Sequence, residues 1–446
     1  MMRPHPHSFR SSVTPYALSF LALLVIEMVA VYGLQLDTLG GVLQQHWQFA
    51  DLHTLAREPF TAWIYIHTQP PLLNFIVAAI VSKDGSGYNT FILLNCVAAA
   101  TTSVVILYIL NQYITQYRWL SYCFALAYLL APSTLLYSAY PFYPTLTSAG
   151  YAMLALAIFT TKSHKTLSLL LLIASLTYLT LLRSSFPPII ALMVLTIYFT
   201  LVADKVKRLE RAFLVAFCSL IPITAIYTKN LTLYDFWGST SFAPINTAKG
   251  FGVMTELNYF PSPDQIISAR PDLSCERSYH SIDRVTSKQD GNPNYNSCYF
   301  LAFAQSQQGI AWKDYEFKNH LRRVVSHFAR YLSLPDRYQY LTNRTSLETY
   351  ADIFNSVFLP WPIREGYTIR VGVVLLMLTV FWLLYRQRDK RMIALCAICA
   401  VHMLSHVVSD GDESDRFVFD IEFCFYIFAA YALIKLQRAA SVTEMK

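Results

Sequence analysis

Residues 90–112 read TFILLNCVAAATTSVVILYILNQ, a mostly apolar block that contains no charged side chain. An α-helix rises about 1.5 Å per residue, so a helix of this length crosses the ~30 Å hydrocarbon core of a bilayer. Charged residues make up 14% of the whole chain, whereas soluble proteins carry about 25%. We therefore interpret the chain as an all-α polytopic membrane protein.

Similar apolar blocks recur along the chain and predict ten spans. They lie at about 13–34, 90–112, 119–137, 144–161, 166–182, 186–203, 211–228, 368–385, 391–408 and 418–436. The first block is too long for the apolar part of a cleaved signal peptide and lacks a small-residue cleavage site, so we keep it as a span. The apolar run 70–82 is shorter and fits a juxtamembrane or re-entrant helix better than a span.

The distribution of Lys and Arg orients these spans. If 70–82 does not cross, sixteen basic residues fall on one side and only four in the short loops of the other side. The four are Arg57, Lys83, Arg183 and Arg416. Because basic loops stay in the cytoplasm, the first side is cytoplasmic and 35–89 is one outward-facing loop. The net charge of +7 then reflects contact with anionic lipid, and no nucleic-acid partner is expected.

This topology divides the chain into three parts. They are an N-terminal transmembrane module, 1–228, with the outer loop 35–89; an outer, periplasmic loop domain, 229–366; and a C-terminal transmembrane module, 367–446. Within the loop domain, apolar residues at steps of three and four across 311–334 predict an amphipathic helix.

The eight cysteines fall into two groups. Six lie inside apolar blocks, where a small buried hydrophobic role is favoured. Cys275 and Cys298 instead share the long polar segment that we place outside the membrane. Disulfides form in oxidising compartments, so we predict that Cys275 and Cys298 form one.

The unusual polar residues collect on the predicted outer face. These candidate site residues are Asp37, His67, Arg183, Lys229, Arg416 and Glu422. A guanidinium fork matches the oxygens of a phosphate group, and a nearby carboxylate can accept a proton from an attacking hydroxyl. The pattern favours a reaction centre at the outer membrane surface that binds a lipid phosphate, with Asp37 as its catalytic residue.

A metal site is an alternative use of some outer-loop residues. His46, Asp51, His53 and Glu58 are residue types that bind metals, but their spacing matches no established site, so a solvated loop is favoured. Glu27 lies inside the first span, where an ionisable group indicates function or pairing within the bundle. No cofactor is assigned from the sequence, and a divalent metal is left open.

The arrangement resembles the GT-C fold glycosyltransferases that use polyprenyl-phosphate-linked sugars, in the branch of protein O-mannosyltransferases and lipid A aminoarabinose transferases. The resemblance covers about 30–250 and 405–436. It rests on an Asp after the first span, a His and a Pro pair about thirty residues later, and the stretch Arg-Phe-Val-Phe-Asp-Ile-Glu that ends at Glu422.

The resemblance implies roles for individual residues. Asp37 matches the general base that deprotonates the acceptor hydroxyl, and His67 belongs to the helix that frames the active-site cavity. Arg183 and Arg416 match basic positions that bind the lipid phosphate. Lys229 and Glu422 lie in stretches similar to segments of the family, and we assign them, with His67, to substrate or lipid-phosphate binding. A hydrogen-bonded structural role is favoured over catalysis for His67. The chain departs from the family pattern at Thr38, at Thr68-Gln69 and at Asp420-Ile421.

The implied function is an inverting transfer of a sugar from a polyprenyl-phosphate donor to a hydroxyl of a protein, lipid or glycan acceptor. The reaction would occur on the periplasmic face of a bacterial inner membrane. A secondary transporter or lipid flippase is an alternative, as is an undecaprenyl-linked glycan polymerase or ligase. Transporters tend to show repeated halves and polar groups in the middle of the membrane. The absence of a visible repeat therefore favours the enzyme.

Overall fold

The computed structural model describes residues 9–36, 43, 49–81, 87–184, 186–203, 208–243, 245–246, 287–288, 291, 294–301, 303–304, 313, 315–331, 341, 343–358, 371–409 and 414–444. Helices and connecting turns make up these residues, with no strand among them. The chain is therefore all-α in the part that the structure describes.

The helices are numbered in chain order. Before the long polar segment they are α1 (Phe9–Gly33), α2 (Leu52–Arg57), α3 (Pro59–Tyr65), α4 (Pro71–Ile80), α5 (Tyr88–Ile109), α6 (Arg118–Leu129), α7 (Pro132–Ala139), α8 (Pro144–Thr160), α9 (Lys165–Leu182), α10 (Pro188–Ile197) and α11 (Arg208–Tyr234). After it come α12 (Phe317–Tyr331), α13 (Arg344–Phe358), α14 (Val371–Gln387), α15 (Lys390–Ser409) and α16 (Ser414–Glu444). Helices α5 and α10 each continue into a π-helical turn, Leu110–Ile114 and Tyr198–Val202.

Proline sets the start of several helices. Pro71, Pro132, Pro144 and Pro188 each stand in the first turn of a helix. There the fixed φ of proline suits the helix, and its missing N–H is not needed for an intrahelical hydrogen bond. Proline also disfavours a helical conformation in the residue before it. A proline can therefore separate two helices that an apolar pattern alone would join.

The predicted span 119–137 is one such case. The structure divides it into α6 and α7, which bend by 51° at the break before Pro132. The apolar composition continues through the break, so it did not indicate the bend. The pair forms either one broken span or a re-entrant element by its length and composition.

Four described helices are long and apolar enough to cross a membrane, or five if the bent pair is one span. The four are Thr14–Gly33, Tyr88–Ile114, Lys165–Leu182 and Arg208–Tyr234. The other predicted spans fall on helices that are shorter or more polar, such as Pro144–Thr160 and Pro188–Val202. The run 70–82 forms the ten-residue helix α4, which is too short to cross about 30 Å of hydrocarbon.

Two clusters of buried side chains hold the helices together. The main core is built from α5, α8, α9, α10, α15 and α16. A second core joins the end of α1, helix α4 and helix α7 to Phe419 of α16. Leu347 of α13 is buried in the second core, and the Tyr350 hydroxyl donates a hydrogen bond of 2.6 Å to the carbonyl of Leu130.

The amphipathic helix predicted over 311–334 is present as α12. It packs against α15 and α16, and Val324 lies against the main core. The described helices of segment 229–366 thus rest on the helical bundle. The domain boundaries at 228 and 366 remain predictions.

Helices α8 and α9 pack closely at Gly150. A Cβ atom placed on Gly150 would lie 2.7 Å from Cδ2 of Leu179 and 2.9 Å from Cδ1 of Tyr178. Small residues at membrane helix interfaces allow this approach, because association there depends on close packing and not on exclusion of water. Gly150 is therefore a packing residue.

Gly150→Val is expected to destabilise the protein by about 1–3 kcal/mol, the usual effect of overpacking. Thermal unfolding of the purified protein in detergent measures the change. Gly33→Val is the matched control, since no atom lies within 4 Å of the corresponding Cβ position. Equal stability of the two variants would contradict the assignment of Gly150 to the α8–α9 contact.

Candidate functional site

A buried ion pair connects two distant parts of the chain. Arg183 follows the last residue of α9, and Asp420 lies in α16; their side chains are 4% and 0% exposed. Nη1 of Arg183 donates a hydrogen bond to Oδ2 of Asp420. Removing one partner from such a pair leaves an uncompensated buried charge, so both residues must be retained or replaced together.

The ion pair continues into a network of aromatic and imidazole side chains. Nε2 of His402, on α15, lies 3.7 Å from Oδ2 of Asp420. Nδ1 of the same ring forms a 2.8 Å hydrogen bond with the Tyr151 hydroxyl on α8. The Arg183 guanidinium lies 4.5 Å above the ring of Tyr143. Helices α8, α15 and α16 pack against one another, which is why their polar residues meet inside the bundle.

His406 completes this cluster one helical turn after His402. Its Nδ1 lies 2.8 Å from the carbonyl of His402, and the two imidazole centroids are 4.2 Å apart. One ligand atom from each of His402, His406 and Asp420 lies within 4.8 Å of the others, and all three residues are buried. We call these residues the His–His–Asp triad; it could hold a metal ion.

The loop residues that were alternative metal ligands form no such cluster within the described part of the chain. Within the described residues, the His–His–Asp triad is the only group of this kind. Asp51 caps α2, because its Oδ2 accepts hydrogen bonds of 2.9 Å from the Thr54 amide and 3.0 Å from the Thr54 hydroxyl. Glu58 caps the other end of the same helix through its backbone N–H. His46 lies outside the described residues.

His67 is the centre of a second polar cluster. Its Nε2 lies 2.8 Å from the carbonyl of Asn296, and its Nδ1 lies 2.8 Å from the Ser241 hydroxyl. A carbonyl only accepts hydrogen bonds, so Nε2 carries the proton and Nδ1 accepts from Ser241. The ring also packs edge-on against Tyr234 at 4.6 Å. Both ring nitrogens thus bind the protein itself.

The pKa of His67 is lowered to about 3, mainly by burial and also by the charge of Lys229, while the hydrogen bond to Asn296 acts in the opposite direction. At neutral pH the ring is uncharged. A neutral imidazole supplies no positive charge to a phosphate, so the geometry favours a positioning role for His67. The predicted role in phosphate binding has no support from these contacts.

The loop around His67 is fastened to the end of α11. Nζ of Lys229 donates to the carbonyl of Ile66, and the Tyr234 hydroxyl donates to the carbonyl of Tyr65 at 2.6 Å. From the polar segment, Oδ1 of Asn296 accepts from the Thr68 hydroxyl at 2.6 Å. Three segments that are far apart in the sequence are therefore joined at this loop.

The His67 contacts predict a pH dependence of stability. The folded-state pKa of about 3 lies below the ordinary value of 6.5, so the unfolded state binds the proton first as the pH falls. The stability contributed by neutral His67 is complete above pH 6.5. It declines by up to about 1.4 kcal/mol per pH unit between pH 6.5 and pH 3.

His67→Gln is expected to remove this slope while wild-type protein retains it. Unfolding midpoints of the detergent-solubilised protein at pH 7, 6 and 5 provide the measurement. His164→Gln removes an exposed imidazole and serves as the control, with the wild-type slope expected. A His67→Gln variant that keeps the full slope would assign it to other groups.

Glu422 and Glu27 both bind α7 through serine side chains. Oε1 of Glu422 accepts a 3.0 Å hydrogen bond from Ser133. Oε1 of Glu27 accepts a 2.6 Å hydrogen bond from Ser138. Both carboxyl groups are buried. The mid-span Glu27 therefore pairs within the bundle, and α7 is held between α1 and α16.

The remaining predicted residues lie partly beyond the described part of the chain. Asp37 and Cys275 fall outside it. Arg416 is in the first turn of α16, and its side chain is not among those described. Cys298 is disulfide-bonded, whereas the six cysteines of the apolar blocks are free. The predicted partner, Cys275, remains a prediction.

Sequence reasoning did not identify the His–His–Asp triad or Tyr151. A signal was present, because His402-Met-Leu-Ser-His406 places two imidazoles four residues apart inside a predicted span. Residues at this spacing share one helix face, and ionisable residues inside a membrane segment usually mark a functional or paired site. The pairing with Asp420 was not visible, since no local pattern specifies it.

No protein-family model, curated protein or solved structure matches this chain.

Proposed function

We propose that this protein is a membrane glycosyltransferase of the GT-C type with about ten spans. It would transfer a sugar from a polyprenyl-phosphate donor to a hydroxyl of a protein, lipid or glycan acceptor. The proposed site faces the periplasm from a bacterial inner membrane, and the amino-terminus lies in the cytoplasm. Apolar helices that could cross a membrane are consistent with this setting.

The reaction is a single inverting displacement. The acceptor oxygen attacks C1 of the sugar, the bond between C1 and the phosphate oxygen breaks, and polyprenyl phosphate leaves with the electron pair. Asp37 takes the proton of the acceptor hydroxyl. Fixed positive charge stabilises the leaving phosphate.

The observation that carries the proposal is the fastening of the His67 loop to α11 and to the polar segment. Lys229 reaches the carbonyl of Ile66, and Asn296 binds both His67 and Thr68. Helix α9, which ends immediately before Arg183, packs against both α4 and α11. Segments predicted to lie on the outer face thus meet, as a shared donor and acceptor site requires.

A groove on α11 suits the polyprenyl chain of the donor. It has a volume of about 920 Å³ and is lined mainly by apolar side chains of this helix, including Phe213, Phe217 and Ile221. Lys229 lies toward the carboxyl-terminal part of the same lining. A cation beyond an apolar strip matches a lipid that carries a phosphate at the end of a hydrocarbon chain.

The candidate residues take different roles in this proposal. Lys229 and Arg416 are proposed to bind the phosphate, and His67 fixes the loop whose Ile66 carbonyl accepts a hydrogen bond from Lys229. Arg183 is buried against Asp420 and Glu422 binds Ser133. We assign the last two to shaping the bundle beneath the site, with direct substrate contact as the alternative that mutagenesis decides.

A secondary transporter or lipid flippase is the second candidate. The observation that favours it is the set of ionisable groups buried within the bundle: Glu27, Arg183, His402 and Asp420. Such groups often mark ion or proton pathways in membrane proteins. A transporter would move a substrate across a sealed vesicle without changing it, whereas the transferase would produce a new glycosidic bond.

Mass spectrometry of lipids that co-purify with the protein tests the proposal most directly. A polyprenyl phosphate or polyprenyl-phosphate sugar is the expected finding. The purified protein should then transfer the sugar of that donor to an acceptor fraction from the envelope. Co-purification of bulk phospholipid alone, together with no transfer in the assay, would refute the proposed donor and leave transport as the better explanation. A polymerase or ligase would instead yield a lengthened or transferred polysaccharide.

A further inference from the structure

We propose that His402, His406 and Asp420 form a binding site for a divalent transition-metal ion, with two imidazole nitrogens and one carboxylate oxygen as ligands. The proposal is independent of the transferase, because it rests on the geometry of α15 and α16 and on the hydrogen bond between Tyr151 of α8 and His402.

The spacing of the three ligand atoms is the first argument. They all lie within 4.8 Å of one another, and Nε2 of His402 lies 3.7 Å from Oδ2 of Asp420. A nitrogen–oxygen distance of 3.7 Å is too long for a strong hydrogen bond. Tetrahedral ligands about 2.1 Å from a zinc ion are separated by about 3.4 Å. Shifts of a few tenths of an ångström to about 1.4 Å would therefore bring the triad into coordination.

The hydrogen bonds on the far side of each imidazole are the second, independent argument. Nδ1 of His402 binds the Tyr151 hydroxyl at 2.8 Å, and Nδ1 of His406 binds the carbonyl of His402 at 2.8 Å. Metal-bound histidines characteristically use the second ring nitrogen in this way, which fixes the ring and its tautomer. In both rings Nε2 is then the nitrogen suited to bind the metal.

The helical spacing makes the arrangement compact. His402 and His406 are one turn apart on α15, so both rings project from the same face. Helix α16 packs against that face and contributes Asp420. Two ligands from one helix and one from its neighbour preorganise the site, because the backbone of each helix is fixed by the main core.

Arg183 is compatible with the proposed metal. A carboxylate can accept a hydrogen bond from a guanidinium through one oxygen and bind a metal through the other, and metal-bound carboxylates are usually hydrogen-bonded. The guanidinium donates to Oδ2, and the carboxylate keeps further lone pairs on Oδ2 and Oδ1 with which to bind a metal. Asp420 would balance only part of the combined positive charge, which favours water ionised to hydroxide, or another anion, as a further ligand.

The donor set indicates the class of metal. Two imidazoles and one carboxylate suit Zn²⁺, Fe²⁺, Co²⁺ or Ni²⁺ better than Mg²⁺ or Ca²⁺, which prefer oxygen ligands. Two buried thiols, Cys399 and Cys424, lie in contact with each other on the same two helices. Cys399 precedes His402 by three residues and Cys424 follows Asp420 by four. A metal bound by these thiols is the competing arrangement that the experiment must distinguish.

The test uses the full chain, purified in detergent, treated with EDTA and then loaded with Co²⁺. Bound cobalt is counted by elemental analysis after desalting, and its ligands are identified from the visible absorption spectrum. Wild-type protein is expected to retain one Co²⁺ per chain, with d–d bands of nitrogen and oxygen ligands. Wild-type protein without these bands overturns the proposal, as does an intense thiolate-to-cobalt band, which would place the ion at Cys399 and Cys424.

Variants assign the ligands. His406→Ala is expected to lose the bound cobalt, while His164→Ala, which removes an exposed imidazole, retains it. Tyr151→Phe is expected to raise the dissociation constant for Co²⁺ by about 10–100-fold through loss of the hydrogen bond to His402. Full retention of cobalt by His406→Ala overturns the assignment.

His406→Cys keeps a metal-binding side chain at this position, so it tests the assignment even if His406→Ala does not fold. His406→Cys is expected to bind Co²⁺ with a new thiolate-to-cobalt charge-transfer band. An unchanged spectrum in that variant means that residue 406 does not touch the metal and overturns the proposal.

Discussion

Asp37→Asn is expected to reduce sugar transfer by about 10²–10⁴-fold, the usual contribution of a general base. Asparagine keeps the size and polarity of the side chain but cannot accept the proton of the acceptor hydroxyl at neutral pH. Transfer from the polyprenyl-phosphate donor to the acceptor is measured at saturating donor, with the variant present at wild-type levels in membranes. The loss should appear in kcat, because the base acts after both substrates have bound.

Asp51→Asn is the matched control for this variant. It makes the same substitution in the same predicted outer loop, at a residue whose carboxylate caps α2. Asparagine is as good an N-cap as aspartate, so the helix should persist and transfer should remain near the wild-type rate. Full activity of Asp37→Asn would exclude Asp37 as the base, whereas equal losses in both variants would indicate damage to the loop.

Arg183→Met is expected to destabilise the protein by roughly 3–5 kcal/mol, because it leaves Asp420 buried without its cation. Asp420→Leu is expected to do the same for the opposite reason. The double variant should recover most of the lost stability, since an apolar pair of similar volume often replaces a buried ion pair without loss. Unfolding in detergent, with EDTA present so that metal binding does not contribute, yields the coupling free energy from the four proteins.

This double-mutant cycle also separates two roles for Arg183. If the guanidinium stabilises the bundle, the double variant regains stability and its affinity for the donor lipid stays near that of wild type. If Arg183 instead binds the lipid phosphate directly, the double variant regains stability while donor affinity remains low. If the double variant loses as much stability as the two single variants combined, the ion pair has no energetic coupling.

Much of the secondary structure could be predicted from local sequence. Apolar blocks marked most of the helices, because crossing or filling an apolar environment requires internally hydrogen-bonded backbone. The short run 70–82 was predicted as a short helix and forms the ten-residue α4, and periodicity indicated α12. The break before Pro132 was missed because composition is the same on both sides of it. The number of membrane spans could not be fixed by apolarity, since several blocks form helices near the minimum length for crossing.

For the candidate site, the sequence likewise predicted some features and missed others. The sequence marked Arg183 and His67 as unusual polar residues near apolar blocks, but it could not assign their partners. Arg183 and Asp420 are 237 positions apart, and the partner of His67 is Asn296, 229 positions away. Residues this distant meet only through the packing of whole helices, and no local periodicity records which helices become neighbours.

The sequence by itself predicted an all-α chain with helices long and apolar enough to cross a membrane, because composition and block length decide where a backbone can be buried without water. It also determined the basic-residue asymmetry that orients the predicted spans. Only the tertiary structure decided that His402, His406 and Asp420 form one cluster, that Tyr151 and Arg183 flank it, and that His67 is held neutral at the junction of three segments. The physical reason is that the preference for an apolar environment is a property of each residue type, so it is visible in the sequence residue by residue. The energy of a buried charge or imidazole instead depends on which particular side chain the fold brings within hydrogen-bonding distance.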